Sequence, residues 1–175
     1  MRITFERMAD RRPVETLVER DDGVTLLMRG AGGGAGLPHD LLHYLVEREL
    51  DVPDGIWGCV ADGAVWGSMR HVSGRRPPHV TERSDRLIKD RADRIGAAEA
   101  LADVVARLAR HQEVLPSQVA GRDRAALERA AAALAAAERE WGELTPGERW
   151  VLSWPAAGRS RPGRSPGARG PRGRR

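Results

Sequence analysis

Hydrophobic and polar positions alternate with a period of two in three short runs near the start of the chain. Ile3 and Phe5 are interleaved with Thr4 and Glu6, Val14, Thr16 and Val18 with Glu15, Leu17 and Glu19, and Val24, Leu26 and Met28 with Thr25 and Leu27. Such alternation places one set of side chains on one face of an extended strand. Arg12-Pro13 and Asp21-Asp22-Gly23 punctuate the runs as turns, so residues 2–29 predict an antiparallel β-meander. Its third run is nearly all apolar, which predicts a central strand covered on both faces. The period then changes. Leu41, Leu42, Leu45, Val46 and Leu50 form an apolar stripe on a helix over 38–50, with Pro38 in its first turn and Asp51 to Gly55 closing it. Residues 56–69, with Trp57-Gly58 and Trp66-Gly67, predict a short buried helix, and 70–79 a loop rich in Arg and Pro.

Two longer helical patterns follow. Ile88, Ala92, Ile95, Ala98, Ala102, Val105 and Leu108 recur at helical spacing from Glu82 to His111. Leu127, Ala130, Leu134, Ala137, Trp141 and Leu144 recur at steps of three and four from Arg124. Together they predict an antiparallel helical hairpin over 82–144. Trp150, Leu152 and Trp154 return to a period of two, and a last strand at 149–154 is most economically added to the N-terminal sheet. The fold class is therefore α+β, a single domain over 1–154. Its sheet is four-stranded, its motif helix packs within 1–70, and the hairpin completes it. Residues 155–175 have no apolar period and are expected to be disordered.

Composition sharpens this picture in three places. The net charge of +4 is an average. Seven arginines and no acid stand in 155–175, which leaves 22 basic against 25 acidic side chains in residues 1–154. The basic character belongs to the tail, where weak, salt-sensitive contact with nucleic acid or anionic lipid is the one binding mode it offers. Cys59 is the single cysteine. That excludes an internal disulfide and any multi-thiolate metal site and fits a reducing, cytoplasmic setting. No run of about 18 apolar residues predicts a membrane span, and the first residues lack the apolar core of a signal peptide. The glycine-rich loop at 30–36 lacks the residues that complete a phosphate-binding loop, and it is assigned no ligand.

Candidate chemistry concentrates on the helix at 38–50. At about 100° per residue, His39, His43 and Glu47 lie within about 80° of arc, with Asp40 beside them. Histidines four residues apart on a helix can hold one divalent ion, and Glu47, or His71 or His79 from the following loop, can supply a third ligand. The His-Asp-x-x-His pattern resembles the His-Glu-x-x-His helix of zinc-dependent hydrolases. That resemblance implies zinc on His39 and His43, with Asp40 as the acid that polarises the bound water. Asp is one methylene shorter than Glu and reaches that water less easily. The competing account is structural, with Asp40 favoured by the helix dipole and His43 and Glu47 paired along the helix.

A wider stretch, Leu37 to Trp66, with Pro38-His39-Asp40-Leu41-x-His43-x-x-Val46-Glu47 followed by a Gly-x-Trp-Gly segment, together with Trp141 to Trp154, resembles small uncharacterised bacterial proteins. Those proteins pair an N-terminal meander with an HDLxHxxVE helix. The resemblance implies the architecture and marks the motif, and it carries no reaction. Two functions follow as expectations. One is a small protein binding a divalent metal, zinc first, through His39, His43 and Glu47. The other is an interaction module whose 82–144 hairpin docks a partner or a second copy, with the His/Asp/Glu strip structural.

Overall fold

The computed structural model describes residues 1–9, 12–33 and 36–155. The expected disorder of 155–175 falls almost wholly outside them. Five strands form one antiparallel sheet: β1 (Arg2–Glu6), β2 (Pro13–Glu19), β3 (Thr25–Gly33), β4 (Met69–Ser73) and β5 (Arg149–Ser153), in the order β4-β3-β2-β1-β5. The meander and the added C-terminal strand are as the alternation predicts, with Phe5 opposite Thr16 on one side and Trp150 on the other. Ile3, Phe5, Val14, Val18, Leu26 and Met28 share the buried face.

Three expectations are corrected. The sheet has a fifth strand, because 69–73, read as the end of a helix and the start of a loop, pairs with β3 from Thr25 to Met28. Met69 is its one buried residue, so it carries little apolar period to be read. β2, not β3, is central, and Leu27 on the far face of β3 is only half-buried. The glycine-rich segment is also not merely a connector, since β3 continues through Gly33, opposite Pro13.

Six helices complete the described chain: α1 (His39–Glu49), α2 (Ile56–Ala61), α3 (Val80–Asp90), α4 (Ala92–Ala109), α5 (Pro116–Val119) and α6 (Arg124–Gly142). α1 stands between two cores. Leu41 and Tyr44 pack with Ile3, Phe5 and Val18 of the sheet and with Trp57, whereas Leu42 and Val46 pack with α4 and α6. The end of α1 is a Schellman motif in which Asp51 takes the left-handed position at φ 53° and the Val52 amide donates to the Glu47 carbonyl at 2.8 Å. Asp123 caps α6, its carboxylate accepting from the amides of Ala125 and Ala126.

The helical pair read from the seam is present, built from α4 and α6. Its first helix is shorter than expected, because the pattern from Glu82 to His111 is broken at Arg91, where φ is −108° and ψ 11°. The Arg91 guanidinium pairs with Asp62 at 2.7 Å, a tertiary contact that helical periodicity does not register. Arg110, at the end of α4, pairs with Glu138 of α6 at 3.1 Å, and the long connection through α5 replaces a tight turn. The apolar seam of this pair is spent inside the molecule, against Leu42 and Val46 of α1.

Gly96 is a helical glycine in α4 with nothing within 4 Å of where a Cβ would stand. Gly96→Ala is expected to stabilise the protein by up to about 1 kcal/mol, by restricting the unfolded chain and favouring the helix. Thermal denaturation should show this as a melting point a few degrees higher, about 2–4 °C for a chain of this size.

Candidate metal centre

α1 begins at His39, immediately after Pro38, whose extended backbone (ψ 141°) cannot continue the helix backward. One turn separates His39 from His43, so both rings leave the same side of α1. The ring centroids are 4.5 Å apart at 71°. α4 crosses at this point and contributes Glu99. The ligating atoms of His39, His43 and Glu99 all lie within 4.8 Å of one another. His43 is 1 % exposed, and its Nε2 stands 3.2 Å from the Glu99 carboxylate. That contact is not aligned as a hydrogen bond. Neither ring nitrogen of His43 has a hydrogen-bond partner among the described residues.

A buried imidazole without partners costs free energy that a fold normally avoids. Burial, and secondly the neighbouring His39, push the His43 pKa below its usual value, and Glu99 opposes the shift. The neutral ring, the form that coordinates metals, is therefore favoured. His39 and Glu99 are exposed, so they can close the small remaining distance to a shared ion while His43 stays fixed.

The expected residues divide. His39 and His43 converge as the helical spacing requires, but Glu47 does not join them. Its carboxylate is turned to the other side of α1, where Oε1 accepts from the Ile56 amide at 2.8 Å and Oε2 from the Trp57 amide at 3.0 Å. It caps α2 from a distance of nine residues in sequence. Desolvation lifts its pKa from 4.5 to about 7 against the pull of these amides. A Cβ at Gly55 would stand 2.7 Å from both carboxylate oxygens, so the glycine makes room for the acid.

Asp40 is also outside the group. Its Oδ2 lies against β3, 3.1 Å from where a Cβ at Gly30 would be, and burial raises its pKa. Its carbonyl accepts from the Trp57 indole at 2.9 Å. His71 sits on β4 with Nε2 3.0 Å from the Gly74 carbonyl, and His79 caps α3 in a left-handed conformation, so neither loop histidine reaches the pair. Cys59 is a buried core residue, as its apolar surroundings predict.

Glu99 is the residue that sequence reasoning missed. It is an acid among alanines, Ala97-Ala98-Glu99-Ala100, at a position that the α4 periodicity marks only as solvent-facing. Its proximity to α1 depends on how two helices 50 residues apart cross, and no local pattern encodes that. No helix among the described residues is long and apolar enough to cross a membrane. Comparison with protein-family models, with curated proteins and with solved structures finds no match to this chain.

Proposed function

We propose that the protein binds one divalent first-row transition ion, zinc before others, through His39, His43 and Glu99. The observation that carries this reading is His43: a buried imidazole with no aligned hydrogen bond to either nitrogen, its Nε2 3.2 Å from the Glu99 carboxylate and its ring against that of His39. Two imidazoles and one carboxylate are a donor set that suits zinc and its neighbours in the series. Three protein ligands, two of them exposed, leave at least one coordination position to water or a substrate atom. Catalytic metal sites keep such a position, and closed structural ones do not. Asp40 and Glu47 stand outside the donor set, Asp40 with its carbonyl holding the Trp57 indole and Glu47 tying α1 to α2.

Zinc titration of chelator-treated, untagged protein tests this reading. Uptake is expected near one equivalent, with a rise in melting temperature as zinc is added, since an ion held only by the folded state stabilises it. His43→Ala and Glu99→Ala are each expected to weaken zinc binding by at least about tenfold. Glu47→Gln should leave the affinity within about twofold. A parent protein that neither takes up zinc nor changes its melting temperature overturns the proposal. So does a Glu99→Ala variant that binds zinc as tightly as the parent.

A further inference from the structure

On the opposite side of α2, a groove runs between α3 and the β3–β4 edge of the sheet. It consists of two cavities of about 380 Å³ and about 340 Å³ that share Arg20, Pro77 and Val80 as walls. Each volume falls in the range of small-molecule sites, which is about 300–1,000 Å³. One lobe has an apolar wall of Leu26, Trp66 and Met69, with His71, Arg76 and Asp85 also lining it. The other contains Arg83 and Arg86, successive basic residues on one face of α3.

Arg20 stands where the lobes meet, with its side chain only 4 % exposed. Its Nε donates to Asp22 at 3.1 Å and its Nη2 also pairs with Asp22, but Nη1 is buried with no partner among the described residues. Nη1 lies 3.8 Å from where a Cβ would stand at Gly63, another wall of the basic lobe, so this buried donor faces the lobe's lining. A guanidinium with an unmet donor in a shielded groove is a site for an oxyanion.

The charges around it agree. Asp22 is held by Arg20 and Asp62 by Arg91 at 2.7 Å, so two of the four lining carboxylates are already neutralised. Arg76, Arg83 and Arg86 make no ion pair among the described residues, and they outnumber the remaining acids, Asp85 and Asp90.

We propose that this groove binds a small organic anion, an apolar body bearing a single carboxylate or phosphate. The body occupies the Trp66 lobe and the anionic group sits at Arg20, between Arg83 and Arg86. This site is separate from the metal centre and stands whether or not zinc binds there.

The test is amide-shift titration of the ¹⁵N-labelled full chain with four probes: benzoate, phenyl phosphate, inorganic phosphate and neutral benzyl alcohol. At least one organic anion is expected to shift the amides of residues 63–67 and 80–84 with a dissociation constant of about 1 mM, at least about tenfold tighter than inorganic phosphate or benzyl alcohol. The stronger of benzoate and phenyl phosphate identifies the anionic group. Removing both exposed guanidiniums, Arg83→Ala with Arg86→Ala, is expected to weaken binding by about tenfold and leave the spectrum dispersed. Val80→Phe, which fills the junction, should do the same by steric exclusion. The proposal is overturned if neither organic anion perturbs these amides at about 20 mM. It is equally overturned if inorganic phosphate or benzyl alcohol binds as tightly as the organic anions, or if both folded variants bind like the parent.

Discussion

Glu47→Ala is expected to destabilise the protein by about 3–5 kcal/mol, the scale of a broken buried network instead of a lost surface charge. The side chain is 1 % exposed and its two oxygens are the acceptors for the first amides of α2. Alanine leaves those amides buried and unmet, at about 1–3 kcal/mol each, and adds a cavity beside Gly55. Glu47→Gln separates the charge from the packing. In the folded state the Glu47 carboxyl titrates at about 7, above its ordinary 4.5, because burial disfavours the anion. The folded protein therefore holds a proton that the unfolded chain has released, and stability contributed here is complete below the unfolded value and lost as pH rises toward 7. The whole decline is at most about 3 kcal/mol. His43, whose pKa is depressed, contributes the opposite slope on the acid side of neutrality, so the informative quantity is the difference between parent and Glu47→Gln. Urea denaturation at pH 4.5, 6 and 8 should show a decline in the parent that the variant lacks. Identical slopes would remove Glu47 as the source.

What could be read from the sequence follows the range of the interactions involved. The strands β1, β2 and β3 alternate because one face of the sheet is covered and the other is not, and that asymmetry is written at every second residue. β4 escaped because an edge strand with one buried residue has almost no alternation to show. The break at Arg91 escaped for a different reason. Ile88, Ala92 and Ile95 keep helical spacing across it, and only the pairing of Arg91 with Asp62, 29 positions earlier, distinguishes a bend from a continuous helix.

The same division runs through the candidate metal centre. His39 and His43 are neighbours by the geometry of a single helix, and their convergence was available from spacing alone. The place of Glu47 was not. Its spacing from His43 is as good as that of His39, but it lies about 80° from His39 around α1, and its carboxylate accepts from the amides of Ile56 and Trp57 instead. Glu47 therefore reads as a ligand in one dimension and as a helix cap in three. Glu99 is its converse, silent along the chain and brought beside the two histidines where α4 crosses α1.

Gly58→Ala is expected to cost about 3 kcal/mol or more, the reverse of the gain of about 1 kcal/mol that alanine usually brings to a helix interior. A Cβ at Gly58 would overlap the Pro53 carbonyl oxygen and stand 2.6 Å from its carbonyl carbon. Both partners are backbone, so no rotamer relieves the clash. The turn cannot retreat, because Gly55 already rests on the Glu47 carboxylate. Nor can α2 shift outward freely. Trp57, 1 % exposed, packs edge-on against Phe5 and Tyr44, and its indole donates to the Asp40 carbonyl at the start of α1. Gly67→Ala, with nothing within 4 Å of the new methyl, is the matched control and should be near neutral. In urea denaturation the Gly58 variant should lose its midpoint while the Gly67 variant keeps it. Displacement of α2 would carry Asp40 with it and so disturb the first turn of α1, where His39 begins. A Gly58→Ala protein as stable as its parent would show slack between α2 and the 53–55 turn, and the mechanical link from that turn to the two histidines would fail with it.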